Sequence, residues 1–191
     1  MISKKITARR YEKIMQTHDA EREEWAMLIG HFMLAFGDIE HLITLAIEFG
    51  ATDQIMGVIR QLQLSKRIEL CKEMLEGKDT LTDDVRNPFL DSLAQAKKLT
   101  EKRNLIAHNS VRLQFRICEA TNEYIGEGVI ASSRNEKASI SLRSMTDLAR
   151  QTLDCSALMN QQFSKLAFQL RGLHLKKGRV RKKQLSSPAV S

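Results

Sequence analysis

Apolar residues recur at three- and four-residue steps through residues 20–49, where Trp25, Leu28, Ile29, Phe32, Phe36, Ile39, Ile43, Ala46 and Ile47 form one stripe. The spacing predicts a long amphipathic helix. Glu21, Glu23 and Glu24 lie in its first turns, where they complement the dipole, and Gly50 is a natural stop. A second helical pattern covers 52–76: Ile55, Ile59 and Leu62 make one stripe, and Leu64, Ile68, Cys71 and Leu75 make another. The stripe shifts around Gln61–Ser65, which predicts a kink or a change of partner. After a loop at 76–80, Thr82, Asp83 and Asp84 offer an N-cap for a third helix running to about His108. Pro88 argues for a start near Asn87, with the proline in the first turn. Phe89, Leu90, Leu93, Ala94, Leu99, Leu105 and Ile106 give this helix its buried face.

The period then changes from three and four to two. Val111, Leu113, Phe115 and Ile117 alternate with Arg112, Gln114 and Arg116, which reads as a strand. Turn residues fill 119–128, a second strand is expected over Tyr124–Ala131, Arg134–Lys137 is a further turn, and Lys137–Leu142 is a third strand. A small antiparallel hairpin or meander is therefore expected at about 110–142. Ser144 would cap a last long helix, 145–172, on the stripe of Met145, Leu148, Thr152, Cys155, Met159, Phe163, Leu166 and Leu170, with Gly172 ending it. The expected fold is mainly α: four long helices with a β-insertion after the third.

A chain of 191 residues fits one domain with tails, at about 100–200 residues per domain. Residues 1–19 read as a basic mobile arm or as a short helix at Ala8–Met15, residues 20–175 as the helical domain, and 176–191 as a basic tail, disordered in isolation. Only two prolines and nine glycines leave room for uninterrupted helices. The net charge of +7 sits at the ends: +4 in residues 1–13 and +6 in 176–191, which leaves −3 for 14–175. Basicity is thus a property of the tails, which read either as disordered, solubilising ends or as arms that add salt-sensitive affinity for nucleic-acid phosphates. Aromatics at 5% are too few for a base-stacking platform. Cys71, Cys118 and Cys155 form no Cys-x-x-Cys pair and fit reduced thiols in a cytoplasmic protein. The amino terminus lacks the apolar run of a signal peptide, and no stretch reaches the roughly 18 apolar residues that would span a membrane.

The chemistry concentrates in Glu101-Lys102-Arg103-Asn104-Leu105-Ile106-Ala107-His108-Asn109. Metal-free RNA cleavage needs a base for the 2′-OH, an acid for the leaving 5′-oxygen and a cation for the charge on the phosphorane. Histidine titrates near neutrality and can do the first two in turn. Arginine, forked and always charged, suits the third. Asparagine can hold a phosphate oxygen or fix the imidazole tautomer. His108, Arg103 and Asn104 can fill these roles, with Glu101 two turns before His108 on nearly the same line. On a regular helix Asn104 lies within ~40° of His108, whereas Arg103 lies ~140° away. Glu40 is out of place on the apolar stripe of the first helix. A carboxylate there must be paired, protonated or facing an opening. It either ties its helix to a neighbouring Arg or Lys, Arg103 among them, or orients a site group on the third helix. Lys66, Arg67, Lys102 and Asn109 are the remaining candidates for RNA contact, Lys66 and Arg67 reading first as a solvated face. His31 and His41 lack the spacing of a metal pair, and no His-Glu-x-x-His, glycine-rich phosphate loop or Gly-x-Ser-x-Gly occurs, so neither metal nor cofactor is expected.

The Arg103-Asn104-x-x-x-His108 pattern at the end of a third long helix resembles the Arg-x4–6-His signature of the HEPN superfamily. The likeness spans roughly residues 20–175, mostly through element order. It implies an up-and-down four-helix bundle and a homodimer whose two copies bring their motifs together across a cleft. It also implies a metal-independent ribonuclease of the toxin or defence kind, with RNA and an antitoxin or regulatory protein as partners. The alternative on the same fold is a non-catalytic dimeric RNA-binding or protein-interaction module.

Overall fold

The computed structural model describes residues 8–51, 56–118, 123–132 and 138–184. The predicted turns at 119–122 and 133–137, the start of the second helical pattern at 52–55 and the two chain ends, 1–7 and 185–191, lie outside the described residues. The order of elements is α1 (Ala8–Gly50), α2 (Met56–Ile59), α3 (Leu64–Glu76), α4 (Asp83–His108), β1 (Val111–Cys118), β2 (Glu123–Ala131), β3 (Ser139–Ser141) and α5 (Leu142–Gln184). The protein is mainly helical with one small antiparallel sheet, and five helices are described where the spacing predicts four long ones.

The extra helix comes from the stripe shift. The chain leaves α2 through a turn in which the N–H groups of Gln61 and Leu62 donate to the carbonyls of Val58 and Ile59, and α3 restarts at Leu64. The long helices also outrun their predicted ends. α1 begins at Ala8, twelve residues earlier than the apolar stripe suggests. α5 passes through Gly172 into the basic stretch, because one glycine costs only about 1 kcal/mol in a run otherwise rich in good helix formers. α4 begins at Asp83, with Pro88 inside it. The Thr82 carbonyl accepts from the N–H groups of Val85 and Arg86, and Asp83 and Asp84 occupy the first turn, so the start is fixed before the proline is reached. α5 is capped by Ser141, not Ser144: the Ser144 N–H donates to Ser141 Oγ at 3.3 Å. β3 therefore runs into α5 without a loop.

The chain forms two compact units, Met1–Phe36 with Glu101–Leu153, and Gly37–Thr100 with Asp154–Ser191. In the first, the sheet has the order β1-β2-β3, with Val111 opposite Ile130 and Phe115 opposite Gly126. The start of α1 lies on this sheet: Tyr11 stacks on Phe115 at 6.4 Å, and a Cβ on Gly126 would meet Ile14 Cγ2 at 2.3 Å, so only glycine lets the helix this close. Trp25, Phe32, Phe36, Ile106, Ile130, Ile140 and Met145 fill the core of this unit. In the second, Ile39, Ile43, Ile47, Ile59, Ile68, Cys71, Leu75, Phe89, Leu93, Met159 and Leu166 are buried. Polar ties close its edges. Gln169 and Thr82 bond each other twice, the Ser92 hydroxyl donates to Gln162 at 2.8 Å, and Lys78 donates to the Gly50 carbonyl at the end of α1.

Cys71 and Cys155 are free and buried, and burial pushes the Cys71 thiol up to about 12. An unfolded thiol ionises near 8.5, so between there and about 12 the unfolded chain sheds a proton that the folded chain keeps. The contribution is intact below pH ~8.5 and is lost as pH rises, by at most ~1.4 kcal/mol per pH unit. Urea midpoints measured from pH 8 to 10.5 are expected to fall less steeply for Cys71→Ala than for the wild type. Parallel curves would show that this thiol ionises alike in both states.

Candidate functional site

Helix α4 ends where its sequence supplies a cap. Asn109 Nδ2 donates to the Leu105 carbonyl at 2.8 Å, which satisfies one of the free carbonyls of the last turn, and the chain enters β1 two residues later. Asn109 is thus engaged in ending the helix. Ile106 is buried and anchors this turn. Arg103 sits three residues before Ile106 and four after the buried Leu99, on the inward stripe, and is half-buried, whereas Glu101, Lys102, Asn104 and His108 are exposed.

Arg103 Nη1 donates to Asn104 Oδ1 at 3.4 Å, a long bond that leaves the asparagine N–H2 group to donate outward. Among the described residues, Arg103 makes no ion pair and His108 no hydrogen bond or ion pair. The Asn104 and His108 side chains are thus open to solvent, and Arg103 is half-buried beside them. α4 is continuous from Asp83 to His108, so the helical arithmetic holds: Asn104 and His108 share a face one turn apart, and Arg103 projects ~140° from His108. One chain brings asparagine to histidine and arginine to asparagine, but turns arginine away from histidine. His108 occupies the last turn of α4.

The cation that meets Glu40 is Arg67, on α3. Arg67 Nη2 donates to the Glu40 carboxylate and Nη1 to Thr44 Oγ1 at 2.8 Å, while the Thr44 hydroxyl donates to the Glu40 carbonyl at 2.9 Å. The Arg67 side chain is 13% exposed and its Nε is buried without a partner. The group is a tie between α1 and α3. Lys66 is engaged as well: it pairs with Glu69 at 2.9 Å, whose hydrogen bond holds the lysine above its ordinary pKa. Glu69 is held low by Lys66 and then by Lys97, which reaches it at 3.4 Å. Of the residues considered for RNA contact, Lys102 alone is exposed and has no described bond.

Sequence reasoning missed a groove of about 420 Å³ lined by Val85, Ser164, Lys165, Phe168 and Gln169. Phe168 is 81% exposed. The signal was present, since Phe168 falls two residues off the buried stripe of Leu166 and Leu170. Among the described residues, no group of three or more His, Cys, Asp or Glu could hold a metal ion, and no helix is long and apolar enough to cross a membrane. Compared with protein-family models, curated proteins and solved structures, the chain matches none of them.

Proposed function

We propose that the end of α4 is the RNA-cleaving site of a metal-independent, HEPN-like ribonuclease acting as a homodimer. Helices α1, α3, α4 and α5 would be the four helices of the family's bundle. His108 serves as general base and then general acid, Arg103 stabilises the charged phosphorane, and Asn104 holds a phosphate oxygen or the imidazole. Glu101 and Lys102 border the site. The observation that carries this reading is the exposure of His108 and Asn104: two polar side chains on one helical face, beside a half-buried arginine with no counter-ion among the described residues. The two free, buried thiols fit a reducing compartment such as the cytoplasm. A toxin or defence role, held in check by an antitoxin or regulatory protein, belongs to the same reading.

The ~140° between Arg103 and His108 has a direct consequence. If both act on one phosphate, they come from different copies, and an isolated monomer is inactive. The same divergence favours the second reading, a dimeric RNA-binding or interaction module without catalysis. Cleavage of a mixed structured RNA in EDTA separates them. Wild type is expected to leave 2′,3′-cyclic phosphate ends, and His108→Ala and Arg103→Ala each to lower the rate by about 10²–10⁴ with the circular dichroism unchanged. Equal inertness of folded wild type and variants would put the second reading ahead.

A further inference from the structure

The outer face of α1 carries a pattern that the chain's own packing does not explain. Glu23, Met27, Gly30, Leu34, Gly37 and His41 follow one another at steps of four, three, four, three and four, the spacing of a coiled-coil seam. They lie opposite the buried stripe of Trp25, Leu28, Phe32, Phe36 and Ile39. Met27 is 54% and Leu34 72% exposed, and Glu23, Gly37 and His41 are exposed too. Glycine inside a helix costs stability relative to alanine, which a chain recovers when another backbone must come close. No such backbone is found among the described residues, where a Cβ on Gly30 or Gly37 would meet nothing within 4 Å. Two large apolar knobs thus alternate with two backbone hollows along about three turns.

We propose that this face pairs with the same face of a second copy, the two α1 helices running antiparallel about a two-fold axis beside residue 32. In that register every position i faces 64 − i of its partner. Met27 falls on the partner's Gly37, and Leu34 on the partner's Gly30. Each knob meets a hollow, and the helices approach more closely than two leucine seams allow. The ends match in polarity, because Glu23, an acceptor, falls opposite the partner's His41, whose ring N–H can donate, twice by symmetry. A shift of one heptad would keep only one knob of each helix in a hollow, setting Met27 against the partner's Thr44 in one direction and Leu34 against the partner's Glu23 in the other, so the pattern favours its own register. A second copy is the occupant because the face is complementary to itself both in size and in the acceptor and donor at its ends. This inference does not depend on the ribonuclease reading.

Sedimentation equilibrium of the full chain over a range of concentrations tests it. Wild type is expected to give twice the chain mass. Leu34→Glu puts two carboxylates near the axis and is expected to weaken dimerisation at least ~100-fold, with unchanged helicity because Leu34 is exposed. Glu23→Lys is expected to weaken it about tenfold and Glu23→Lys/His41→Glu to recover it. Gly30→Ala/Gly37→Ala should raise the thermal midpoint of the monomer while weakening the dimer, opposite signs that a purely intrachain role could not produce. A monomeric wild type at 100-micromolar order, a dimer indifferent to Leu34→Glu, or a charge reversal without recovery would each overturn the proposal.

Discussion

Mixing two inactive variants is expected to restore RNA cleavage. His108→Ala chains keep Arg103, and Arg103→Ala chains keep His108. If the site takes arginine from one copy and histidine from the other, a heterodimer holds one intact site and one doubly defective site. Random exchange makes half of the dimers mixed, so the mixture should recover about one quarter of the wild-type rate, from two-fold symmetry alone. The recovered activity should scale with the product of the two variant concentrations and vanish on dilution below the dimer dissociation constant. A mixture as inactive as its components, with exchange verified by a mass-tagged chain, would place both residues in a single-chain site or remove them from catalysis. The expectation rests on the continuity of α4 from Asp83 to His108, which fixes the angular separation of the two side chains.

The elements that a periodic pattern can announce were legible in the chain. The strict alternation from Val111 to Ile117 reappears as β1, and its pairing with β2 keeps Val111 and Phe115 opposite Ile130 and Gly126. The stripe shift near Ser65 marks the break between α2 and α3. The helix ends were less legible, because local signals there compete with cooperative propagation. Gly172 and Pro88 each cost one position, and the surrounding helix outvotes them. For the candidate site, only the place of Arg103, Asn104 and His108 at the end of a long helix was legible. The partner of Glu40 was not, since a carboxylate on an apolar stripe demands a cation without naming it. Arg67 stands 27 residues away, next to Lys66, and read as part of a solvated pair until the fold turned it inward.

Removing that cation should have the largest effect on stability. Arg67→Ala is expected to cost about 1.5–3 kcal/mol, the range for hydrogen bonds to charged groups, because it strips Glu40 of its counter-ion and Thr44 of a donor. The cost stays below that of a sealed ion pair because the Glu40 side chain is 35% exposed and water can take up part of the charge. In a chain of this size that lowers the thermal midpoint by about 5–10 °C. Glu40→Ala should cost a similar amount, since it leaves a guanidinium that is 13% exposed without its carboxylate. The double variant should cost less than the sum by about 1–3 kcal/mol, as neighbours in one network do. Strict additivity would show that the pair contributes nothing. The same series decides what Glu40 does for the proposed chemistry. A carboxylate occupied by Arg67 is a strut, so Glu40→Gln, measured below its own midpoint, should cleave RNA within about twofold of wild type per folded molecule, well short of the ~10²-fold loss expected of an acid–base group. A loss greater than tenfold with the midpoint preserved would instead make Glu40 a positioning residue for the end of α4.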